Sequence, residues 1–408
     1  MIKVSKPKIR FKKFNDSWSI KKLSDTQTCF KDGNYGEAYP KETDLTTSTQ
    51  GIPFLRGSDL DNGKLTLTNA RYITKSKHNE LVSGHLIEDD IVIAVRGSLG
   101  SLGYVSPESV GWNINSQLAI IRTRKIEIIG NYLIQFLLSN RGGKEISSHI
   151  TGTALKQLPI KQLKNIKVPI PKIDEQSAIG SLFRTLDDLL ASYKVNLANY
   201  QSLKATMLSK MFPKAGQTVP EIRLDGFEGE WGNAIINDYV TLLNGRAFKQ
   251  DELLNGGKYR VVRVGNFNTN EKWYYSNLEL EENKYANKDD LLYLWATNFG
   301  PEIWKEEKII FHYHIWKLEF DRSIIDRNYL YYWLEKDKKR IQQNTNGSTM
   351  VHVTKSMMEN REFLFPMFRE QQAIGSYFSN LDNLINSHQE KISQLETLKK
   401  KLLQDMFL

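Results

Sequence analysis

Two stretches of the chain show the strictest alternation of hydrophobic and polar positions. In each, apolar residues recur at spacings of four and three residues over about four heptads, the period of a coiled-coil seam rather than the wider stripe of a globular helix. The pattern predicts two long helices that pair with each other. The alternative, two separate core helices, is weaker because both seams have the same length and register. The seam positions are Ile179, Phe183, Leu186, Leu190, Tyr193, Leu197 and Tyr200, then Ile374, Phe378, Leu381, Ile385, His388, Ile392 and Leu395.

The two stretches are copies of one another. Shifted by 195 residues, Pro171–Phe212 aligns with Pro366–Phe407 without a gap, and 17 of the 42 aligned positions are identical. A shorter similarity relates Pro7–Trp18, near the start of the chain, to Pro220–Trp231, just after the first helical stretch. The sequence therefore predicts a tandem duplication.

The repeat divides the chain into four segments. Residues 1–170 and 213–365 are globular blocks, and residues 171–212 and 366–408 are the helices that follow them. Between the blocks, Phe54-Leu-Arg56 corresponds loosely to Val261-Val-Arg263, and Thr151-Gly-Thr153 corresponds to Asn346-Gly-Ser348. Because the helices agree far better than the blocks, we expect the helices to share one task and the blocks to face different targets.

Strand signals dominate inside the blocks. β-branched and aromatic residues are concentrated at 90–95, 117–121 and 308–318, and we expect each to form a strand. The last would carry His312 and His314 on one face, whereas Asn131–Ser139 and Asn328–Arg340 have helical patterns. The predicted fold class is α+β, with mixed, mostly antiparallel sheets. Two globular domains stand in tandem, each followed by a long helix, and the two helices pair with each other.

Composition narrows the class of partner. At 408 residues the chain is longer than a single core usually becomes. The net charge is +9, and residues 1–170 hold 25 Lys and Arg against 15 Asp and Glu, so the first block suits a polyanion. Residues 213–366, with 21 against 23, receive no such support. Cys29 alone excludes a disulfide framework, and no apolar run would span a membrane, so we expect a cytoplasmic protein.

Three loops are candidates for contacts with nucleic acid. Arg96–Gly103 follows a predicted strand and is rich in glycine, so its backbone could approach a phosphate or enter a groove; a plain hairpin is the alternative. It is not a P-loop, because no lysine follows the last glycine. Thr151–Lys156 and Asn346–His352 stand at equal distances before the two helices, with ordinary turns as the alternative. His312 and His314 lack a visible third metal ligand, so we expect hydrogen-bonding or stacking roles for them.

Polar and small residues interrupt both helices at matching positions. Lys204 and Lys399 fall on the seam, where a lysine usually extends its ammonium group to solvent. The alternative is a polar device that fixes the register of the pair. Gly180 and Gly375 lie inside the helices, where glycine costs about 1 kcal/mol relative to alanine. Their shared placement predicts a close approach, either by the paired helix or by a partner protein.

The sequence carries no recognisable catalytic signature. It has neither the Asn-Pro-Pro-Tyr or Asp-Pro-Pro-Tyr motif of an amino-methyltransferase nor the GxxxxGK[ST] motif of an ATP motor. No convincing nuclease core or Ser/His/Asp signature is present either. We therefore expect the chain not to be an enzyme on its own. The alternatives are a coiled-coil scaffold without DNA readout and, with less support, a stand-alone nuclease or methyltransferase.

The helix motif resembles that of a known family. Pro-x-x-x-Glu-Gln-x-Ala-Ile-Gly opens both helices, at Pro171–Gly180 and Pro366–Gly375, each time after a variable block. In this the whole chain resembles the specificity subunit of type I restriction–modification systems. The resemblance implies two target recognition domains that each read a few base pairs of DNA, and two helices that pair as an antiparallel coiled coil. It also implies, as partners, two methyltransferase subunits that modify adenine at N6 and two ATP-dependent restriction subunits. No cofactor is expected on this chain, and S-adenosylmethionine, ATP and Mg are expected on the partners.

Two unlike readers on one spacer predict a split, asymmetric DNA site with an unread gap, since a duplex presents the same groove face again after about 34–36 Å. We expect phosphate contacts to supply much of the affinity and base contacts the specificity. The candidate DNA contacts are Arg56, Lys75, Lys77, Arg96, Ser98, Asn113, Gln117, Lys156, Arg263, Asn266, Asn298, Lys305, His314, Thr349 and His352. The candidate contacts with the paired helix or with other subunits are Glu175, Gln176, Ile179, Gly180, Phe183, Leu186, Leu190, Leu197, Glu370, Gln371, Ile374, Gly375, Phe378, Leu381, Ile385 and Ile392.

Overall fold

The computed structural model describes residues 7–296, 299–344 and 353–407. The chain divides into two compact units, one of residues 1–194 and 391–408 and the other of residues 195–390. Each unit therefore holds one globular block together with parts of both long helices. The division into four segments at residues 170, 212 and 365 stays a prediction.

The first block is built from short strands in two four-stranded sheets, with orders β2-β11-β8-β9 and β10-β4-β7-β3, and two strand pairs, β1-β12 and β5-β6. Strands β10 and β4 are parallel, and the other neighbours are antiparallel. The strands are β1 (Ser19–Lys22), β2 (Cys29–Asp32), β3 (Leu45–Thr46), β4 (Ile52–Leu55), β5 (Leu60–Asp61), β6 (Lys64–Leu65), β7 (Arg71–Ile73), β8 (Ile91–Ala94), β9 (Leu102–Tyr104), β10 (Asn113–Ile114), β11 (Leu118–Arg122) and β12 (Lys167–Ile170).

Helices close the first block and continue into the first long helix. They are α1 (Lys75–Glu80), α2 (Gly130–Leu138), α3 (Asn140–Ser148), α4 (Ile160–Leu163) and α5 (Ile173–Lys210). Helix α2 confirms the predicted helix, and seven of its nine residues are buried. The Tyr132 hydroxyl donates a hydrogen bond to the Pro169 carbonyl at 2.5 Å, which ties α2 to β12.

The second block repeats this plan. Its sheets have orders β14-β21-β18-β19 and β16-β15-β20-β17, with β13 paired to β22, and β15 and β20 are its parallel neighbours. The strands are β13 (Gly232–Ile235), β14 (Val240–Asn244), β15 (Tyr259–Val262), β16 (Tyr274–Ser276), β17 (Tyr285–Ala286), β18 (Leu291–Leu294), β19 (Gly300–Ile303), β20 (Ile309–Phe311), β21 (Ile315–Phe320) and β22 (Glu362–Phe365), and the helices are α6 (Ile236–Tyr239), α7 (Arg327–Asn344), α8 (Lys355–Glu359) and α9 (Phe368–Asp405). The predicted α+β class with mostly antiparallel sheets is confirmed.

The prediction of one strand across residues 308–318 is wrong. Strand β20 belongs to one sheet and β21 to another, and the chain changes sheet at His312–His314. The amide of Ile315 donates to the His312 carbonyl at 2.9 Å, which forms the turn. A continuous β-branched run cannot reveal such a crossing, because its residues are buried on both sides of the turn.

The two long helices have 38 residues each, and within each unit they run antiparallel. In the first unit Asp187 of α5 meets Lys399 of α9, and Lys194 meets Glu396. In the second unit Lys204 meets Asp382. The predicted seam is buried at 9% exposure or less at Ile179, Phe183, Leu186, Leu190, Ile374, Phe378, Leu381, Ile385 and Ile392, and Leu197 is half-buried.

Each long helix is followed by a phenylalanine that enters a core. In the first unit Phe407 packs against Tyr132 and Phe183, with ring centroids 5.8 and 6.1 Å away. In the second unit Phe212 packs against Tyr329 and Phe378, at 5.5 and 6.1 Å. The repeated Met-Phe ending thus completes a core in each unit.

Candidate nucleic-acid interface

The repeated glutamate near the start of each long helix is buried. Glu175 is 1% exposed, and its carboxylate accepts hydrogen bonds from Arg10 Nε at 2.6 Å and Nη2 at 2.8 Å and from Trp18 Nε1 at 3.0 Å. Glu370, also 1% exposed, accepts from Arg223 Nε at 2.8 Å and Nη2 at 2.7 Å. The hydrogen bonds to these carboxylates raise the pKa of both arginines, which keeps them charged. These glutamates attach each helix to the segment that opens its own block.

The adjacent glutamine makes a matching set of contacts. Gln176 accepts a hydrogen bond from the Ile129 amide and Gln371 accepts one from the Asp326 amide, each at 2.9 Å. Both glutamines are 1% exposed or less. Their side chains therefore fix the turn before α2 or α7 to the long helix, and they are enclosed within their own unit.

Packing inside each unit accounts for the glycine in its long helix. A Cβ on Gly180 would lie 3.1 Å from Asn131 Nδ2, and a Cβ on Gly375 would lie 2.7 Å from Asp326 Oδ1 and 2.9 Å from Asn328 Cβ. The predicted close approach is therefore present, but the start of α2 or α7 makes it. The paired helix is therefore not the source of this close approach, because the long helix packs on its own block at this point.

The seam lysines do not extend to solvent. Lys204 Nζ lies 2.5 Å from Asp382 Oδ1, and Lys399 Nζ lies 2.6 Å from Asp187 Oδ1. Their side chains are only 19% and 17% exposed. The expectation of a solvent-directed ammonium group is wrong, because each repeat supplies an aspartate facing the other repeat's lysine. The arrangement is that of a register-fixing polar pair.

Backbone hydrogen bonds bring three loops of the first block together. The amide of Val95, just after β8, donates to the Gln117 carbonyl at 2.8 Å, and the amide of Leu158 donates to the Val95 carbonyl at 3.0 Å. The segments around residues 96, 117 and 157 therefore lie side by side. We call the surface formed by Tyr35, Arg96–Ser98, Ser116–Gln117 and Thr151–Gln157 the first loop surface.

Arg96 is an exposed cation held in a defined place on this surface. Its Nη1 donates to the Tyr35 hydroxyl and to the Ser116 carbonyl, each at 2.7 Å, and its guanidinium lies 5.2 Å from the Tyr35 ring centroid. Burial raises the pKa of the Asp32 carboxyl close by, while the Tyr35 hydroxyl and the charge of Arg96 oppose that rise. A guanidinium fixed on an aromatic ring retains donors for a phosphate or a guanine edge.

Three more predicted DNA contacts share the first loop surface. Gln117, Ser98 and Lys156 are all exposed. Ser98 follows Arg96 in the hairpin between β8 and β9 and lies next to Gly57, where an added Cβ would be 3.5 Å from the serine Cβ. The structure thus brings Arg96, Ser98, Gln117 and Lys156 together on one surface, and their contact with DNA stays a prediction.

Other predicted contacts of the first block are used inside the fold. Arg56 Nη2 donates to the Asn69 carbonyl at 2.5 Å, and its Nε lies 3.5 Å from Asp59 Oδ2. Asn113 is 0% exposed and accepts a hydrogen bond from Asn34 at 3.4 Å. Both side chains bond to other residues of the first block, and Asn113 does not reach the surface.

The two lysines of helix α1 differ from each other. Lys75 is exposed in the first turn of the helix. Lys77 has a 12% exposed side chain whose Nζ lies 3.8 Å from Asp44 and 3.4 Å from Glu80. Lys77 is therefore neutralised locally, and Lys75 is the one of the pair that faces solvent.

The second block has the same backbone framework. The Trp295 amide donates to the His314 carbonyl at 3.2 Å, as Val95 does to Gln117, and the Val353 amide donates to the Trp295 carbonyl at 3.2 Å, as Leu158 does to Val95. We call the surface formed by Arg246, Arg263, Trp295 and His312–His314 the second loop surface.

The second loop surface presents mainly aromatic side chains, whereas the first presents mainly polar ones. The Trp295 ring lies 4.9 Å from His314, and its Nε1 donates to the Tyr313 carbonyl at 2.8 Å. Tyr313 itself is 41% exposed. Burial, with the charges of His314 and Arg263, lowers the pKa of His312 to about 4, so this imidazole is neutral at pH 7. The surface offers stacking faces and imidazole nitrogens rather than a guanidinium hairpin.

The remaining predictions for the second block have varied outcomes. Arg263 lies with its guanidinium 4.2 Å from the Tyr274 ring centroid, and Asn266 accepts the Arg263 amide hydrogen bond at 3.0 Å. Lys305 is exposed in the turn between β19 and β20. Outside the described residues lie Asn298, Thr349 and His352.

Sequence reasoning missed four members of these surfaces. Gly33 stands two residues before Tyr35, and Gly245 stands directly before Arg246, each just after a strand. A Cβ on these glycines would lie 1.9 Å from the Asn115 carbonyl oxygen and 2.3 Å from the His312 carbonyl oxygen. The repeated glycine is a signal for this close approach, although strands β2 and β14 were not predicted from the sequence. Trp295 and Tyr313 had no comparable signal.

The described residues contain neither a metal-binding cluster nor a membrane-spanning helix. No group of three or more His, Cys, Asp or Glu side chains in residues 7–296, 299–344 and 353–407 could hold a metal ion. Over the same ranges, the helices lack the length and apolar character that crossing a membrane requires.

Comparison with known proteins agrees with this architecture. A family model described as the type I restriction modification DNA specificity domain matches residues 15–199 and 228–397. A putative type I restriction enzyme specificity subunit of Methanocaldococcus jannaschii, MjaX, is 23% identical over 95% of this chain and 92% of its own length. The specificity subunit of the EcoBI enzyme of Escherichia coli is 28% identical over 40% of this chain and 35% of its own.

Solved structures share the fold. The crystal structure of the S subunit of a type I restriction–modification system from M. genitalium superimposes with a TM-score of 0.63 over 99% of both chains, at 15% identity. A chain from a structure on complex assembly and conformational transition of the type I system gives 0.53 over 95% of this chain and 96% of its own, at 16% identity.

Two equivalent α+β blocks, each with a loop surface and a repeated long helix, define a class of duplicated recognition proteins. The matched regions cover most of the sequence, and they are the same two repeats that the structure displays. The chain belongs to the type I restriction–modification DNA specificity family.

Proposed function

We propose that this chain selects the DNA sequence on which a type I restriction–modification complex acts. Each unit reads one half of an asymmetric site interrupted by an unread gap. The membership of the family and the two loop surfaces support this role. The boundaries at residues 170, 212 and 365 are proposed as the limits of the recognition domains and spacer helices.

One observation carries the asymmetry of the site. Val95 and Trp295 occupy the same place in the two backbone frameworks, and Gln117 and His314 stand opposite them in the two blocks. Equal frameworks with unequal side chains give two readers of the same geometry and different chemistry. Because base edges are distinguished by donor and acceptor patterns, such readers select different half-sites.

The first loop surface combines affinity with readout. Arg96 is the proposed contact to a guanine edge or a phosphate, and Lys156 the proposed phosphate contact. Ser98 and Gln117 supply neutral donors and acceptors beside them. Lys75 remains a proposed peripheral phosphate contact because it is exposed.

Arg263 is the proposed cation of the second loop surface. Its guanidinium lies 4.2 Å from the Tyr274 ring centroid, whereas the Arg246 guanidinium, 4.7 Å from the Phe248 ring centroid, is paired with Glu252, with Nη2 2.7 Å from Oε1. Cations held on aromatic faces keep their charge at the surface. His314 is the proposed base contact, and Lys305 a proposed phosphate contact. Asn298, Thr349 and His352 stay proposed from sequence.

The chemistry is assigned to other subunits. We propose two methyltransferase subunits that bind S-adenosylmethionine and modify adenine at N6, and two restriction subunits that use ATP and Mg. This chain is proposed to have no catalytic role and to bind none of these cofactors. The proposal follows from the family, since the EcoBI relative is the specificity subunit of a type I enzyme and the MjaX relative is described as a putative one.

The test is to map methylated adenines in a methylation-free host that expresses this chain with its methyltransferase partners. Wild type should give one split motif. Arg96→Ala should relax or alter one half of that motif and leave the other half intact. Lys125→Ala is the matched control, because Lys125 is an equally exposed cation beyond the opposite end of β11. An unchanged motif and unchanged affinity in the Arg96 variant would remove the first loop surface from the assignment.

A further inference from the structure

The loop between α3 and α4 presents a large apolar side chain to solvent at its tip. Leu155 is 87% exposed, and among the large apolar residues of the described part of the chain only Val82, at 93%, is more exposed. No burial in its own unit accounts for this side chain. Its place beside Lys156, in a loop hydrogen-bonded to the segment that carries Arg96, makes it a candidate for a contact outside the protein.

The loop is a fixed structure. The amides of Thr151 and Gln157 each donate to the other's carbonyl at 2.9 Å, which closes the loop at its base. Gly152 has a φ of +90°, and a Cβ there would lie 2.4 Å from the Leu155 carbonyl oxygen, so the loop is tightly folded. A closed loop holds Leu155 in place at little entropic cost to binding.

The loop is also anchored to the first loop surface. Leu158, fully buried, donates its amide hydrogen to the Val95 carbonyl, and the next residue along the chain from Val95 is Arg96. On the other side of that hairpin, a Cβ on Gly100 would lie 3.2 Å from Ile146 of α3. Leu155 therefore projects from the same surface as the proposed base contacts.

The duplicated sequence repeats this choice of residue. With the shift of 195 residues, the segment Thr151–Leu158 aligns without a gap to Asn346–Val353, and Met350 falls on Leu155. The hydrogen bonds of Leu158 and Val353 to equivalent carbonyls support this register. Met350 lies outside the described residues, so its correspondence to Leu155 is one of residue type alone. The blocks share few residues, and yet both have a long, flexible apolar residue at this position.

We propose that Leu155 is an apolar wedge that inserts at a base step of the half-site read by the first unit. Leucine and methionine are among the side chains that partly unstack base steps in this way. The exposed Lys156 beside it would hold the adjacent phosphate. The inference rests on the proposed DNA-reading function and names the residue that deforms the DNA there.

The experiment uses the complete complex and the methylated motif found by mapping. Duplexes carry 2-aminopurine at successive positions of the first unit's half-site, because its fluorescence rises when stacking is lost. Apart from the rise at the adenine that the methyltransferase extrudes for modification, wild type should raise the fluorescence at one further step. Leu155→Ala should abolish this further rise, and Leu155→Met should retain it. Ile126→Ala is the control, since Ile126 is 76% exposed and lies beyond the opposite end of β11.

Affinity at several salt concentrations separates the wedge from a charge effect. Leu155→Ala should weaken binding by about tenfold, because the apolar contact is lost, while the slope of log affinity against log salt stays unchanged. Lys156→Ala should reduce that slope by about one. A changed slope in the leucine variant overturns the wedge.

The remaining outcomes are equally decisive. Site-specific methylation by wild type, with no fluorescence rise except at the modified adenine, overturns the wedge and leaves the proposed function standing. A loss of affinity that is reproduced by replacing a thymine with uracil, without a fluorescence change, assigns Leu155 to a base edge and also overturns insertion. Failure of the alanine variant to assemble with the methyltransferase subunits assigns the residue to a protein contact instead. No sequence preference in wild type overturns the proposed function together with the wedge.

Discussion

Glu175 and Glu370 are each bonded to an arginine far away in the sequence. Arg10 stands 165 residues before its glutamate, and Arg223 stands 147 residues before. A fork of two N–H groups on one carboxylate fixes direction as well as distance, which a lysine would not do. At the residue scale, this pair sets the orientation of each long helix relative to the segment that opens its block.

Glu175→Gln should lower the stability of the first unit. The change leaves Arg10 and the Trp18 indole N–H without an anionic acceptor in a buried place, and breaking one side of a buried pair costs about 3 kcal/mol. Thermal unfolding measured with Asp174→Asn as control would show it, since Asp174 is exposed next to the same glutamate. Equal melting temperatures for the two variants would contradict the clamp.

At the residue scale, the sequence predicted which side chains have groups that can bind DNA better than it predicted which of them lie at the surface. Arg96, Ser98, Gln117 and Lys156 all lie on one surface as polar loop residues should. Asn113 has the same hydrogen-bonding capacity and is fully buried, because Asn34 and the adjacent loop cover it. Residue type gives the groups that can bind DNA, whereas burial depends on contacts between residues distant in sequence.

At the element scale, the two long helices are matched by crossed ion pairs. Each repeat has an aspartate and, 17 positions later, a lysine, so antiparallel pairing brings Asp187 to Lys399 and Asp382 to Lys204. A shift of one helix against the other by one heptad would leave the aspartate and the lysine of each pair at an apolar seam without partners. The pairs therefore favour one register, at some cost in stability compared with leucine.

Charge exchange tests this pairing. Lys399→Glu should destabilise the first unit by placing two carboxylates together, and adding Asp187→Lys should recover about 1 kcal/mol as coupling in a double-mutant cycle. The same exchange at Lys194 and Glu396 is the control, because those side chains are 56% and 52% exposed and their coupling should stay below about 0.5 kcal/mol. Coupling that is equal at both sites would remove the register role.

Elements with a strong period were predictable, and junctions between sheets were not. The seam of α5 and α9 and helix α2 followed directly from spacing. The run at 308–318 concealed a turn at His312–His314, because β20 and the start of β21 are both buried and both rich in isoleucine and aromatic residues. Only the pairing of β20 with β15 and of β21 with β18 separates them.

At the scale of the whole molecule, the first unit is assembled from two separate parts of the chain, whereas the second is the continuous stretch 195–390. The first unit requires residues 391–408, and the second contains residues 195–210 of α5. Repetition in the sequence predicted two similar halves, but it did not predict that the end of one helix completes the block that begins the other. That arrangement depends on antiparallel packing, which no local pattern records.

Phe407→Ala should therefore unfold the first unit preferentially. Phe407 is 6% exposed between Tyr132, Phe136 and Phe183, and truncating such a ring costs about 3–5 kcal/mol. Hydrogen exchange resolved by segment should show lost protection in α2 and β12, with β18 and β21 unchanged. Leu398→Ala, at a 45% exposed position of α9, is the control and should cost less than about 0.5 kcal/mol.

The place of Phe407 sets an order of events during synthesis. The first unit remains incomplete until residue 407 has left the ribosome, whereas the second needs nothing beyond residue 390. At the usual rate of translation, the earlier block waits roughly ten to forty seconds for its last aromatic ring. During that interval the side of Phe183 that later meets Phe407 is uncovered, so the nascent chain should engage chaperones through its first block rather than its second.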